Sequence, residues 1–306
     1  MKNYNCIVVL GPTASGKTRL ACSLAYYLHG EVISADSRQV YKRLDIGTGK
    51  DLDEYTVNGQ AIAYHLIDIA EPGEQFYLHE FMAGLKNAFD LITSKNKLPV
   101  ICGGTGLYLD TLRKDFSYTQ IKENKALRNE LELLSKEELL DKLKVFPAAL
   151  TRQIDLDSKK RVIRGIEIAA YLLENNIIPK EGELPYKPYY LGINSDIDKR
   201  KELISQRLKK RIDEGLINEV ENLLATGITH ERLAFLGLEY KFVSRYLQRQ
   251  ITKEELLTLL QTAIFQLAKR QMTWFRKMEK EGVKINWVER SNDNTALVKQ
   301  VEEIFK

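Results

Sequence analysis

The chain opens with an unbroken apolar run, Ile7 to Leu10, then a glycine-rich polar stretch, then "TRLACSLAYYL" with apolar positions at helical spacing. A short apolar run bounded by turn signals predicts a buried strand, and the 3.6-residue recurrence after it predicts a helix. The alternation continues. "EVISAD" and "HLIDI" are predicted strands, about Leu78 to Ser94 a helix, and "LPVICGGTG" a strand ending in a glycine turn. Strands and helices alternating at this spacing predict a parallel sheet covered on both faces. From about residue 119 the pattern changes: "NKALRNELELLSKEELLDKLKVF" and "SKKRVIRGIEIAAYLLENN" are amphipathic with no strand between them, and Ser135 to Glu138 has the form of a capping box. A proline-containing segment, residues 177–190, leads back to an apolar strand, "YYLGIN". Three or four helices, a strand "VKINWVE" and a last helix to Lys306 are expected after it. The predicted fold is α/β, a parallel sheet with flanking helices formed by residues 1–118 and 188–306, interrupted by an all-helical insertion over residues 119–187.

Composition sets the class. The 306 residues, 44% hydrophobic and 29% charged, suit a soluble globular chain of two domains or one large one. No apolar run approaches the roughly 20 residues that span a bilayer, and "MKNYN" lacks a signal-peptide pattern, so a cytoplasmic location without a membrane partner is expected. Cys6, Cys22 and Cys102 lie in apolar surroundings without a CxxC pair, which predicts core packing. His29, His65, His79 and His230 form no cluster at zinc spacing. Charge is uneven: residues 1–118 carry a net −1 and the remainder +5. The basic excess is concentrated in residues 159–164, 198–211 and 268–277. Any one of these alone reads as a solvated helix face. Three of them interleaved with Tyr186, Tyr189, Tyr190, Trp274 and Phe275 predict an RNA surface, where backbone charge and base stacking are both needed.

The chemistry is concentrated in three stretches. "GPTASGKT" matches the phosphate-binding template G-x-x-x-x-G-K-[ST] with Gly11, Gly16, Lys17 and Thr18, set between a strand and a helix N-terminus. The backbone N–H groups of such a loop and the helix dipole suit phosphate oxygens, with Lys17 on the outer phosphates and the Thr18 hydroxyl on Mg²⁺. In "SADSRQVYKRLDIGTGK", residues 34–50, Asp36 stands just past a strand, where ligands of parallel sheets bind. It reads equally as a carboxylate holding Mg²⁺, a general base or a helix N-cap, and Asp68 competes for the metal role. In "GGTGLY", residues 103–108, three glycines allow a close backbone approach and Thr105 offers a hydroxyl.

In this order, and joined by "EPGEQFYLHEF", "RVIRGIEI" and "AKRQMTWFRK", these stretches make nearly the whole chain resemble the bacterial tRNA dimethylallyltransferases, enzymes of a P-loop-type α/β fold. The resemblance implies that Gly11, Pro12, Thr13, Ala14, Ser15, Gly16, Lys17 and Thr18 hold the diphosphate of dimethylallyl diphosphate rather than a nucleotide, with Thr18 on Mg²⁺. It implies that Asp36 takes the proton from the N6 amine of the adenosine 3′ of the anticodon. Ser37, Arg38 and Gln39 would position that base, and Thr105 would lie beside the reacting centre. Arg207 would neutralise the departing diphosphate, and Arg128, Lys160, Arg161, Val162, Ile163 and Arg164 would touch tRNA. The helical insertion and the basic C-terminal helices would grip the anticodon arm, with the protein acting as a monomer. One departure is visible: the arginine usual four residues before Arg207 is Leu203, while Arg211 lies four after it, so either arginine fits the neutralising role. Three other readings remain at this point: a P-loop kinase of a small metabolite, a prenyltransferase of free adenine nucleotides, and an RNA-binding NTPase without transfer activity.

Overall fold

The computed structural model describes residues 4–151, 154, 156–177, 183–194, 196–291 and 293–305. In chain order its elements are β1 (Cys6–Leu10), α1 (Lys17–Tyr27), β2 (Gly30–Ser34), the two-residue strands β3 (Thr56–Val57), β4 (Gln60–Ala61) and β5 (Tyr64–His65), α2 (Leu78–Ser94), β6 (Leu98–Gly103) and α3 (Gly106–Asp110). Then come α4 (Lys125–Glu132), α5 (Lys136–Leu143), α6 (Ala148–Thr151), α7 (Lys159–Glu174), β7 (Pro188–Asn194), α8 (Ile197–Asp213) and α9 (Leu216–Ala225). The last are α10 (His230–Leu236), α11 (Leu238–Leu247), α12 (Lys253–Lys280), β8 (Ile285–Glu289) and α13 (Thr295–Phe305). Two compact units result: Met1–Arg113 with Pro185–Lys306, and Lys114–Leu184.

The larger unit is built on a six-stranded parallel sheet in the order β5-β2-β6-β1-β7-β8. Its central strand explains the apolar run at the start of the chain. Cys6, Val8 and Leu10 face one layer with Phe81, Leu109 and Phe275, and Ile7 and Val9 face the other with Leu20, Leu24 and Val301. Helices cover both faces, so no position in β1 meets water and none can be polar. A third core joins α8–α12 to the loop after β2 through Val40, Leu44, Leu208, Val220, Tyr240 and Leu260.

Three expectations are corrected here. Of "HLIDI" only His65 belongs to a strand, the two-residue Tyr64–His65, because Leu66 (φ 63°) and Asp68 (φ 57°) turn the chain through the left-handed region. Among the described residues five helices, not three or four, separate β7 from β8. The aromatic residues read as an RNA surface are core: Phe275, Tyr189 and Tyr190 are buried against the sheet, Tyr186 packs on the same core, and the Trp274 indole N–H donates to Asp110 at 3.0 Å. Ring burial and base stacking need the same aromatic faces, and the sheet has taken them.

The smaller unit packs α4–α7 around Leu131, Leu139, Leu143, Val162, Ile163 and Ile166. The capping box at Ser135 is formed: its hydroxyl accepts the Glu138 N–H at 3.2 Å and the Glu138 carboxylate accepts the Ser135 N–H at 2.7 Å. Residues 178–182 of the proline-containing segment, and Lys306 of the last helix, lie outside the described residues.

Candidate active site

The phosphate loop is fixed by local backbone geometry. β1 stops at Leu10 and α1 starts at Lys17, with Gly16 at φ 86° and Ala14 at φ 62° bending the chain between them. A Cβ on Gly11 would stand 2.8 Å from the Ile193 carbonyl oxygen of β7, so the loop leaves the sheet where only glycine fits. Lys17 Nζ donates to the Pro12 carbonyl of its own loop at 2.9 Å. Burial pulls its ammonium below the ordinary lysine range, with Cys102 and Asp36 acting in the opposite direction.

A cavity of about 110 Å³ gathers side chains from four distant stretches. Thr13, Lys17 and Thr18 come from the phosphate loop, Asp36, Arg38 and Gln39 from the turn after β2, and Arg207 and Arg211 from α8, with Gln271 of α12 among the remaining lining groups. Cys102 also lines it, and burial pushes its thiol up to about 12, so it is a neutral wall and no nucleophile.

The turn after β2 settles one of the three readings of Asp36. Its Oδ1 accepts the Arg38 N–H at 2.8 Å, and residues 37–40 form turns, so Asp36 caps no helix. Thr105, the residue before α3, accepts the Ser37 N–H at 3.1 Å and so ties the glycine turn after β6 to the residue next to Asp36. Arg38 donates to the Phe235 carbonyl. Gln39 is committed to the wall: it accepts the Ser34 hydroxyl at 2.9 Å and donates to the Gly49 carbonyl at 3.0 Å.

The remaining wall, Gly47, Thr48 and Gly49, belongs to a loop, residues 45–51, held by groups that sequence reasoning missed. The Glu219 carboxylate accepts the N–H groups of Asp45, Ile46 and Gly47 at 2.9, 2.7 and 3.0 Å, and the Tyr240 hydroxyl at 2.7 Å. Lys50 is fully buried between Asp45, at 2.6 Å, and Asp68. Asp68 is therefore the counter-charge of a buried lysine, and it is not among the residues that line the cavity. Gly49, at φ 60°, has Arg211 so close that a Cβ would stand 1.7 Å from its Nη2.

The two candidate arginines differ in commitment. Arg211 is buried and donates to the Gly47 carbonyl and to Glu239, both at 3.2 Å. Arg207 keeps about a third of its side chain exposed (31%) and pairs with Asp51. Burial, then the neighbouring Arg211, pull the Arg207 pKa down, and burial raises that of Glu239. Arg290, just beyond β8, was not singled out either; its Nε stands 3.5 Å from where a Gly16 Cβ would be, which brings another guanidinium to the phosphate loop.

Among the described residues no three His, Cys, Asp or Glu side chains gather as a metal cluster. Thr18 and Asp36 both line the cavity, and one hydroxyl with one carboxylate suits Mg²⁺ that is held largely by phosphate oxygens and water. The residues expected to touch tRNA are divided by the smaller unit. Lys160 and Arg161 are exposed in the first turn of α7, whereas Val162 and Ile163 are core. Arg164 donates to the Ile121 carbonyl and lies 3.6 Å from Glu167; Arg128 pairs with Glu123 at 2.6 Å and with the buried Glu167.

The family model described as "IPP transferase" matches residues 39–278, and one described as "Isopentenyl transferase" matches residues 4–64. A tRNA dimethylallyltransferase 2 of Bacteroides fragilis is 47% identical over 95% of this chain and 94% of its own. A solved structure of the full-length tRNA isopentenylpyrophosphate transferase of Bacillus halodurans superposes with a TM-score of 0.71 at 30% identity, over 99% of this chain and 95% of that one. A eukaryotic dimethylallyltransferase solved acting on tRNA gives 0.76 at 25% identity, over 97% of this chain and 77% of that one.

Proposed function

The chain belongs to the IPP transferase family, and on that premise we propose that it is a tRNA dimethylallyltransferase. It moves the dimethylallyl group of dimethylallyl diphosphate to the exocyclic N6 of the adenosine 3′-adjacent to the anticodon, releasing diphosphate. The observation that carries the residue-level reading is the meeting in one cavity of the phosphate loop, Asp36 and Arg207, which are far apart along the chain.

In the reaction the bond from the allylic carbon to the diphosphate oxygen breaks, its electron pair leaving with diphosphate, and the N6 nitrogen bonds to that carbon. Asp36 takes the N6 proton. It lies beyond a parallel strand with the carboxylate oriented by the Arg38 N–H, and a placed base contributes about 10²- to 10⁴-fold. Lys17 and the loop N–H groups hold the diphosphate, and Arg207 meets the charge that grows on it as the carbon–oxygen bond breaks. Arg207 rather than Arg211 fits that role, since Arg211 is already fixed between Gly47 and Glu239. Thr18 would hold Mg²⁺, which when bound supplies further neutralisation of the diphosphate. Thr105 fixes Ser37 beside Asp36, and the target base leaves its loop stack to reach the cavity at a cost of a few kcal/mol. The exposed Lys160 and Arg161 contact tRNA phosphates. The protein is read as a monomer that works in the cytoplasm, where tRNA is the acceptor.

The test is to mix the protein, Mg²⁺ and radiolabelled dimethylallyl diphosphate with unmodified tRNA, and in parallel with AMP or ATP. Label in tRNA alone is expected. Label in free nucleotide would move the chain to the nucleotide prenyltransferases, and no uptake by any acceptor, with a working control enzyme, would overturn the transfer reading.

A further inference from the structure

Gln271 lies in the middle of α12, within a stretch whose sequence stands out only for its basic residues, yet its side chain reaches the cavity and ends between two loops. Its Oε1 accepts the Thr13 N–H of the phosphate loop at 2.8 Å, and its Nε2 donates to the Gly104 carbonyl at 3.0 Å. The amide orientation is forced by chemistry, because a backbone N–H can only donate and a carbonyl can only accept. Space is matched to it as well: a Cβ on Gly104 would stand 2.3 Å from Nε2, so the amide can reach this turn only past a glycine. From Gly104 the connection continues. Thr105 follows directly, its hydroxyl accepts the Ser37 N–H at 3.1 Å, and Ser37 adjoins Asp36.

We infer that Gln271 is a positioning residue that sets the donor loop and the acceptor-side loop at one fixed separation. The inference rests on the transferase reading of this cavity. Attack of N6 on the allylic carbon requires the phosphate loop, which carries the leaving group, and the Thr105–Ser37–Asp36 side, which carries the base, to be in register to a fraction of an ångström. The sheet sets the two loops only where they begin, with Leu10 paired beside Gly103; further out, at Thr13 and Gly104, the Gln271 amide joins them. A primary amide is the side chain with one acceptor and one donor group at the same end, so it can clasp an N–H with one and a C=O with the other. It also takes the Thr13 N–H out of competition for phosphate, leaving the later loop amides to the ligand.

The test uses the full chain and two variants, in single turnover with saturating dimethylallyl diphosphate and tRNA. Gln271→Met keeps length and loses both hydrogen bonds; its transfer rate should fall about tenfold or more, with tRNA affinity within about twofold of wild type. Gln271→Glu carries its own control. When protonated, the acid accepts from Thr13 and donates to Gly104 as glutamine does; when ionised, it repels the Gly104 carbonyl. Its rate relative to wild type should therefore rise as pH is lowered through its carboxyl titration, while that of Gln271→Met stays flat. A group that only supports the fold would lower the melting temperature and leave the saturated rate unchanged in both variants. A rate within twofold of wild type for Gln271→Met, or, should that variant fail to fold, a pH-independent ratio for Gln271→Glu, would overturn the inference. Absence of transfer by wild type itself would instead sink the transferase reading.

Discussion

Arginines meet carboxylates in two regions of this molecule, and the two are built in opposite senses. In the smaller unit Arg128 lies between Glu123 and the fully buried Glu167, and the charges agree with their surroundings: the Glu167 hydrogen bond holds the Arg128 pKa up, and the hydrogen bond from Arg128 holds Glu123 down. In the cleft, Lys17, Arg38, Arg207 and Arg211 line a cavity that carries only Asp36 and Glu239 as carboxylates. There burial pulls the Lys17 and Arg207 pKa values down and the Glu239 value up, so each charge is held against its own solvation preference. A satisfied cluster supports a fold; a cavity whose lining cations outnumber its lining carboxylates suits an anionic ligand.

The contrast is sharpest at Asp36. Asp36→Asn keeps the turn and removes the base, and transfer should fall about 10²- to 10⁴-fold with tRNA binding near wild type; substantial remaining activity in a single-turnover assay would take the base role away from it. Next in size, Glu167→Ala strands Arg128 and Arg164 beside a buried void and should cost the smaller unit about 3–5 kcal/mol, read as an early transition in a denaturant melt. If the melt is unchanged, the cluster is not the structural pair the geometry describes.

Arg207→Gln should lower the saturated rate about 10²- to 10³-fold, the scale for removing one group that meets developing charge, while its effect on melting stays small. Equal losses in Arg207→Gln and Arg211→Gln would end the distinction drawn between them. For Lys17 the sign follows from the direction of its shift. Burial lowers the pKa in the empty site and bound diphosphate favours the ammonium, so donor affinity is full at low pH and falls as pH rises from that lowered value toward the ordinary 10.5. Lys17→Arg should remove this dependence from the KM of the donor, because arginine keeps its proton. The smallest effect is expected at Lys160 and Arg161, where each alanine should reduce the salt slope of tRNA binding by about one unit. Arg128→Ala, by contrast, should alter stability more than slope.

The glycine loop between β1 and α1 was legible because its form is local. Strand, glycines, lysine and helix start follow one another within a dozen residues, and the backbone geometry of each is dictated by its neighbours. Asp36 and Thr105 were legible for a related reason, since strand ends in a parallel sheet converge on one edge. Gln271, Glu219 and Tyr240 were not. Each acts on loops more than 150 residues away along the chain, and a glutamine on a helix has no local feature that tells a clasp from a solvated position. The aromatic residues went astray by the same logic, because a tyrosine has one appearance in sequence whether its face meets a sheet or a base.

By itself, then, the sequence determined the strand and helix periodicity, the covered parallel sheet, the helical insertion and the phosphate-binding loop, all of which depend on residues a few positions apart. Only the tertiary structure decided which charges face the cavity and which are neutralised. It paired Asp68 with the buried Lys50, fixed Arg211 and left Arg207 less committed, and buried Tyr189 and Tyr190. Those outcomes depend on burial and on partners across the fold, and electrostatic energy is set by distance and dielectric surroundings rather than by position along the chain.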